Sequence, residues 1–80
     1  MPLSKAWKPL DRSTAGSVPD RYGVYELGDE AGNVLAVEAG PLRDELKEAI
    51  AYGDGDQVRW TTTQNRSEAE RLLAEHRDRL

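Results

Sequence analysis

Few side chains in this 80-residue sequence have the types and spacing needed for catalysis or metal binding. His76 is the only histidine and cysteine is absent, so a zinc site lacks the further nitrogen or sulfur ligands that it requires. Asp54-Gly55-Asp56 has the spacing of the first ligands of a calcium loop, but the later ligands and the closing glutamate are missing. Gly-rich phosphate motifs and nucleophile elbows are also absent. We expect no cofactor, a solvated turn at residues 54–56 and a partly buried, neutral His76.

Aromatic residues are a second kind of candidate, since Trp7 and Trp60 could stack on a nucleic-acid base or on a partner protein. In a chain with five aromatic residues, we expect both tryptophans to pack in the core instead. The two-residue period of a strand puts Tyr22 and Tyr25 on opposite faces. We expect the Tyr25 ring to pack into the core with its hydroxyl at the rim. The alternative is that Tyr25 belongs to a ligand-binding face.

The charge of the chain argues against general nucleic-acid binding. Fifteen acidic residues outnumber eleven basic ones and leave a net charge of −4, whereas phosphate binding relies on a basic surface. Glu38, Glu45 and Glu48 could form an acidic patch or simply a solvated face. The acid-rich, lysine-poor composition is typical of the cytosol of a salt-loving organism such as a halophilic archaeon, where proteins are acidic whatever they bind. The absence of cysteine, of a targeting pattern and of a long apolar run predicts a cytoplasmic protein without membrane contact.

The hydrophobic pattern predicts a single α+β domain with the element order β-β-α-β-α. Residues 1–20 carry turn and loop signals and are expected to form an N-terminal arm, packed on the core through Trp7 and Leu10; residues 21–80 form the domain. The predicted strands are residues 21–27, 34–39 and 58–62, and the predicted helices are residues 41–52 and 67–79. The first two strands are joined by a turn at residues 29–33, in which Gly32 and Asn33 are able to take positive φ.

Local signals also predict where the helices begin and end. Pro41 is suited to the first helical position, and Gly53 is a natural C-terminal stop. Ser67 and Glu70 have the spacing of a capping box for the last helix. The core is expected to contain apolar side chains from the helical stripes and from the strands: Leu46, Ile50, Leu72, Leu73, Val24 and either Val37 or Leu35.

Two stretches about ten residues apart resemble the GIY-YIG endonuclease family. Gly23-Val24-Tyr25 precedes a hairpin turn, and Val34-Leu35-Ala36-Val37 then leads into the helix start at Leu42-Arg43. The resemblance covers residue 19 to the C-terminus, and it implies a three-stranded antiparallel sheet with two packed helices. In active members, a tyrosine on each of the first two strands, an arginine in the first helix and a metal-binding glutamate in a later helix carry the cleavage.

Most of these catalytic residues are missing here. The first tyrosine matches Tyr25, but the second falls on Ala36 and the glycine of the second motif falls on Glu38. The arginine position is Glu45, whose negative charge would oppose a phosphate. Arg43 is nearby in sequence but lies about 160° away around the helix.

The register of the last helix decides whether a metal ligand survives. Aligning Ser67 with the serine that opens the family's last helix puts Glu75 at the metal position, whereas aligning by apolar phase puts Leu73 there. We follow the apolar phase, because a metal ligand must face the sheet. The residues left as a candidate ligand face are Tyr25, Arg43, Glu45 and Glu75.

We therefore predict a non-catalytic, degenerate GIY-YIG-like domain that acts as a binding or interaction module, with a protein partner favoured over nucleic acid. One alternative is a divergent metal-dependent nuclease that uses Tyr25 and Glu75. Another is a small nucleic-acid-binding protein without cleavage activity. The charge of the face over the first hairpin and first helix distinguishes them: a basic, concave face would favour nucleic acid, and an acidic face would favour a protein partner.

Overall fold

Four strands and three helices lie along residues 6–78, the part of the chain that the computed structural model describes. In chain order the elements are β1 (Lys8–Pro9), α1 (Arg12–Ser17), β2 (Tyr22–Gly28), β3 (Val34–Pro41), α2 (Leu42–Tyr52), β4 (Gln57–Thr62) and α3 (Arg66–Asp78). The strands form one antiparallel sheet in the order β1-β4-β2-β3. This confirms the α+β class, with four strands in place of the predicted three.

The central strand β2 has helices on both sides. Because side chains alternate across a strand, Tyr25 and Leu27 point to one face and Val24 and Glu26 to the other. Helices α1 and α2 cover the Tyr25 face, and α3 covers the Glu26 face, where His76 bonds to Glu26. The main core lies under α1 and α2 and consists of Ala15, Val18, Tyr25, Leu27, Leu42, Leu46, Ala49 and Val58.

The turn and stop signals that depend on short-range geometry are confirmed, with one exception. The Asp29 carboxylate accepts from the backbone N–H groups of Ala31 and Asn33 at 2.9 Å each, and Gly32 has φ +85°. Gly53 ends α2 at φ +67°, with its N–H directed at the last carbonyls of the helix. Asn33 does not take positive φ, because Gly32 alone supplies the reversal in this turn.

Two predicted helix starts are wrong by about one residue. Pro41 is still extended, with ψ 107°, and ends β3, so α2 begins at Leu42. The last helix begins at Arg66, where the Asn65 side chain accepts from the N–H of Glu68 at 2.9 Å. Asn65 therefore caps α3 in place of the predicted Ser67–Glu70 capping box. Residue 79, the predicted end of this helix, lies outside the described residues.

The loop prediction for the N-terminal arm is wrong where the arm contains β1 and α1. The two residues of β1 extend the sheet by pairing with β4. Asp11 caps α1 by accepting from the N–H of Thr14 at 2.8 Å, and Ala15 and Val18 are buried in the core. Trp7 and Leu10, the predicted anchors, are both half-buried. The six residues of α1 are mainly serine, threonine and glycine, so neither propensity nor periodicity indicated a helix.

The core prediction is correct for Val24, Leu46 and Val37, which are buried. Leu35, the alternative to Val37, is 55% exposed on the edge strand β3. The other three predicted core residues are only half-buried: Ile50, Leu72 and Leu73. In α3 the buried positions are Ala69 and His76, so this helix contributes little large apolar volume to its side of the sheet.

Candidate functional site

A small cleft of about 170 Å³ lies between α2 and the β2–β3 hairpin. Its lining, which we call the acidic pocket, consists of Tyr25, Glu38, Glu45, Glu48, Ala49 and Asp54. Strand pairing places Glu38 directly opposite Tyr25. The three-residue spacing in α2 puts Glu45 and Glu48 on neighbouring turns of one helix face. The fold therefore gathers four carboxylates from two elements and a loop around one tyrosine.

The hydroxyl of Tyr25 donates a hydrogen bond to Oε1 of Glu45 at 3.1 Å. The side chain is only 5% exposed. Burial raises the pKa of Tyr25 far above its ordinary value, and the negative charges of Glu45, Glu38 and Glu48 raise it further. The phenol therefore stays protonated at neutral pH and acts as a hydrogen-bond donor, not as a base.

The position of Glu45 depends on Gly40, the residue of β3 beneath it. A Cβ atom at position 40 would lie 2.8 Å from Cγ and 2.9 Å from Cδ of Glu45. The missing side chain leaves room for the glutamate to lie across the strand and reach the Tyr25 hydroxyl. Glu45 also lies in the first turn of α2, where the helix dipole stabilises a carboxylate.

Of the four predicted site residues, the structure brings together Tyr25 and Glu45. Arg43 lies on the other flank of α2, where its Nε and one terminal nitrogen donate to the carbonyl oxygen of Val18 at 3.3 and 3.0 Å. Its guanidinium joins the end of α1 to α2. Glu75 is exposed on α3, which packs on the opposite face of the sheet from Tyr25. Tyr25 and Glu75 therefore have the sheet between them.

The sequence reasoning missed Glu26, which is fully buried in the central strand. One carboxylate oxygen accepts from Nε of Arg59 and the other lies 2.8 Å from Nε2 of His76. Arg59 in turn stacks on Trp7, with its guanidinium carbon 4.0 Å from the ring centre. These four residues, the Glu26 network, connect β2, β4, α3 and the N-terminal arm. An acidic residue inside an otherwise apolar central strand is the signal that could have revealed it.

The other candidate residues are the two tryptophans, which pack against the protein, and the aspartates at positions 54 and 56, which lie in a turn. Trp60 is half-buried against the main core, and Trp7 lies over Gly28, where a Cβ atom would come within 2.5 Å of the ring. The carboxylates of Asp54 and Asp56 are exposed in the turn before β4. Within residues 6–78, no three histidine or carboxylate side chains are grouped closely enough to hold a metal ion. No helix in the same span is long and apolar enough to cross a bilayer.

Comparison with known proteins assigns the chain to a family. Residues 1–79 match the domain of unknown function DUF7508, so the chain belongs to that family. No curated protein and no solved structure matches it significantly.

Proposed function

We propose that this DUF7508 chain is a non-catalytic protein-binding domain with a degenerate GIY-YIG-like fold, and that its partner presents a positively charged side chain to the acidic pocket. The element order from β2 to α3 is the β-β-α-β-α order that the resemblance implies. The conclusion depends mainly on one observation, the negative charge of the surface over the β2–β3 hairpin and α2.

The acidic pocket is unsuited to a phosphodiester. Glu38, Glu45, Glu48 and Asp54 each bring a negative charge toward the position where a phosphate would approach. Of the four, Glu38 has a cation nearby, with Arg77 at 3.3 Å, but both side chains are about half exposed, so this pair neutralises little of the field. A guanidinium or ammonium group, by contrast, would gain charge-assisted hydrogen bonds to Glu45 and Glu48.

The geometry also disfavours the nuclease alternative. Tyr25 and Glu75 lie on opposite sides of the sheet, so one metal ion would not contact both. The Tyr25 hydroxyl is already bonded to Glu45, and its raised pKa keeps the proton in place. Binding of nucleic acid without cleavage would meet the same four carboxylates.

The test compares the full chain with a double variant in which Glu45→Gln and Glu48→Gln remove two charges from the pocket. The probe is a short arginine-containing peptide, and Glu75→Gln is the matched control because it removes an exposed carboxylate from the other side of the sheet. We expect the double variant to weaken peptide binding at least about tenfold, equivalent to about 1.4 kcal/mol, and the control to change it little. Equal binding by all three proteins would contradict the proposal.

A nuclease digest with magnesium or manganese, across salt concentrations, tests the alternatives in the same preparation. We expect no cleavage of DNA or RNA. Metal-dependent cutting that both Tyr25→Phe and Glu75→Ala abolish would establish the nuclease instead. Binding of nucleic acid without cutting, with an affinity that falls steeply with salt, would establish the third function.

A further inference from the structure

Helix α2 separates two surfaces of opposite charge. The acidic pocket lies along one flank, and a groove between α1 and α2 lies along the other. This α1–α2 groove has a volume of about 400 Å³ and is lined by Arg12, Ala15, Gly16, Lys47, Ile50 and Ala51. It lies on the side of α2 that Arg43 joins to α1.

The floor of the α1–α2 groove is apolar and shallow. Ala15 is buried at its base and Ile50 is half-buried, since the small side chains around it leave one side of the isoleucine uncovered. Gly16 is open to the groove: a Cβ atom there would meet no atom within 4 Å. A partner could therefore approach closely and cover the exposed part of Ile50.

The rim of the groove carries two cations, Arg12 on α1 and Lys47 on α2, and both are exposed. Among residues 6–78, neither side chain has an ion-pair or hydrogen-bond partner. Acidic residues outnumber basic ones in this chain, yet neither of these two positive charges beside the apolar floor forms an ion pair with a described carboxylate. The groove is therefore electrostatically complementary to an apolar segment with acidic flanks.

We infer that the α1–α2 groove binds an amphipathic helix of a partner protein, with apolar side chains on the Ile50 floor and carboxylates on its flanks that pair with Arg12 and Lys47. A helix suits the groove because the groove is lined by two neighbouring helices, through residues 12–16 of α1 and residues 47–51 of α2. Five helical residues span roughly 7.5 Å, so about one and a half turns of a docked helix would contact the groove. The inference rests on the proposed function only in taking the partner to be a protein, because the two surfaces lie on opposite flanks of α2.

The probe is a synthetic helical peptide of about 14 residues, roughly four turns, with leucines at i, i+3 and i+7 and glutamates beside them. A matched peptide has lysines in place of the glutamates. Amide chemical shifts of the full chain report the site. We expect shifts at Gly16, Ile50 and Ala51, and at least about tenfold tighter binding of the glutamate peptide than of the lysine peptide.

Three variants make the result specific. Gly16→Leu should fill the open floor and abolish binding, while the melting temperature stays close to that of the wild type because the site is empty. Arg12→Gln and Lys47→Gln should each weaken binding about 1.5-fold to fivefold, as expected for exposed charge pairs. Lys8→Gln, which removes an exposed lysine from β1, is the matched control and should leave the affinity unchanged.

Several outcomes would overturn the inference. These are the absence of shifts in the groove at about 1 mM peptide, equal binding of the two peptides, or unimpaired binding by Gly16→Leu. Concentration-dependent dimerisation that Gly16→Leu abolishes would assign the groove to a second copy of the chain instead. Glu45→Gln with Glu48→Gln should not alter binding of the glutamate peptide, so failure here and failure of the proposed function are distinguishable.

Discussion

Removing the charge of Glu26 should destabilise the fold more than any exposed charge substitution. Glu26 is fully buried and holds both Arg59 and His76, and the Arg59 side chain is itself only 13% exposed. Glu26→Gln keeps the size of the side chain but leaves the guanidinium beside a neutral amide. Breaking a buried ion pair by removing one partner costs about 3–5 kcal/mol. A domain of this length has a total stability of roughly 4–12 kcal/mol, so a large part of it should be lost.

The assay is urea unfolding followed by circular dichroism and by tryptophan fluorescence, which reports on Trp7 above Arg59 and on Trp60 beside the main core. The matched control is Glu70→Gln, because Glu70 pairs with Arg66 at 3.0 Å where the side chains are 61% and 75% exposed. The control should lose less than about 1 kcal/mol. Equal losses from Glu26→Gln and Glu70→Gln would refute the reasoning.

The ion pair between Glu26 and Arg59 can also be tested by replacing the arginine. Arg59→Leu should also destabilise the protein, because it leaves the buried Glu26 carboxylate without its guanidinium partner. Since both substitutions remove one interaction, the double variant should lose less than the sum of the two single losses. Additive losses would mean that Glu26 and Arg59 stabilise the fold independently.

Two further predictions concern pH and packing. The pKa of Tyr25 is raised above 10.0, first by burial and then by nearby carboxylates, so the folded state holds this proton more tightly than the unfolded chain. This group should therefore leave the free energy of unfolding unchanged below about pH 10 and lower it above that pH. In urea unfolding at alkaline pH, the free energy of unfolding of Tyr25→Phe should fall less than that of the wild type. Identical falls in the two proteins would contradict the raised pKa of Tyr25. Leu46→Ala, at a fully buried position, should lower the free energy of unfolding by about 2–5 kcal/mol. Leu73→Ala, at a half-buried position, should lower it by less. Equal losses of stability in thermal melts would show that α3 packs more tightly than its exposure indicates.

The elements that the sequence predicted correctly are those specified by neighbouring residues. The hairpin turn follows from Gly32 and from the Asp29 side chain, which bonds to backbone groups two and four residues later. Gly53 ends α2 because a left-handed residue is needed there. The stripe through Leu46 predicted the buried face of α2 because that face repeats with the helical period.

The N-terminal segment shows where local signals were insufficient. Helix α1 has no apolar period of its own, and burial of Ala15 and Val18 against α2 stabilises it. Strand β1 has two residues and exists only as a partner of β4. Both elements depend on contacts with residues far away in sequence, which no window along the chain contains.

The features of the candidate site also divide into those that the sequence predicts and those that only the tertiary structure shows. The sequence by itself determined the excess of carboxylates, the hairpin and the apolar stripe of α2, since these follow from composition, from local turn residues and from the helical period. Only the tertiary structure decided that Glu38, Glu45 and Tyr25 meet in one pocket, that Arg43 is used to hold α1, and that Glu26 is buried between Arg59 and His76. The reason is that the local pattern leaves open which sheet face each helix covers, and with helices on both faces a central-strand glutamate is excluded from water and needs charged partners from other elements.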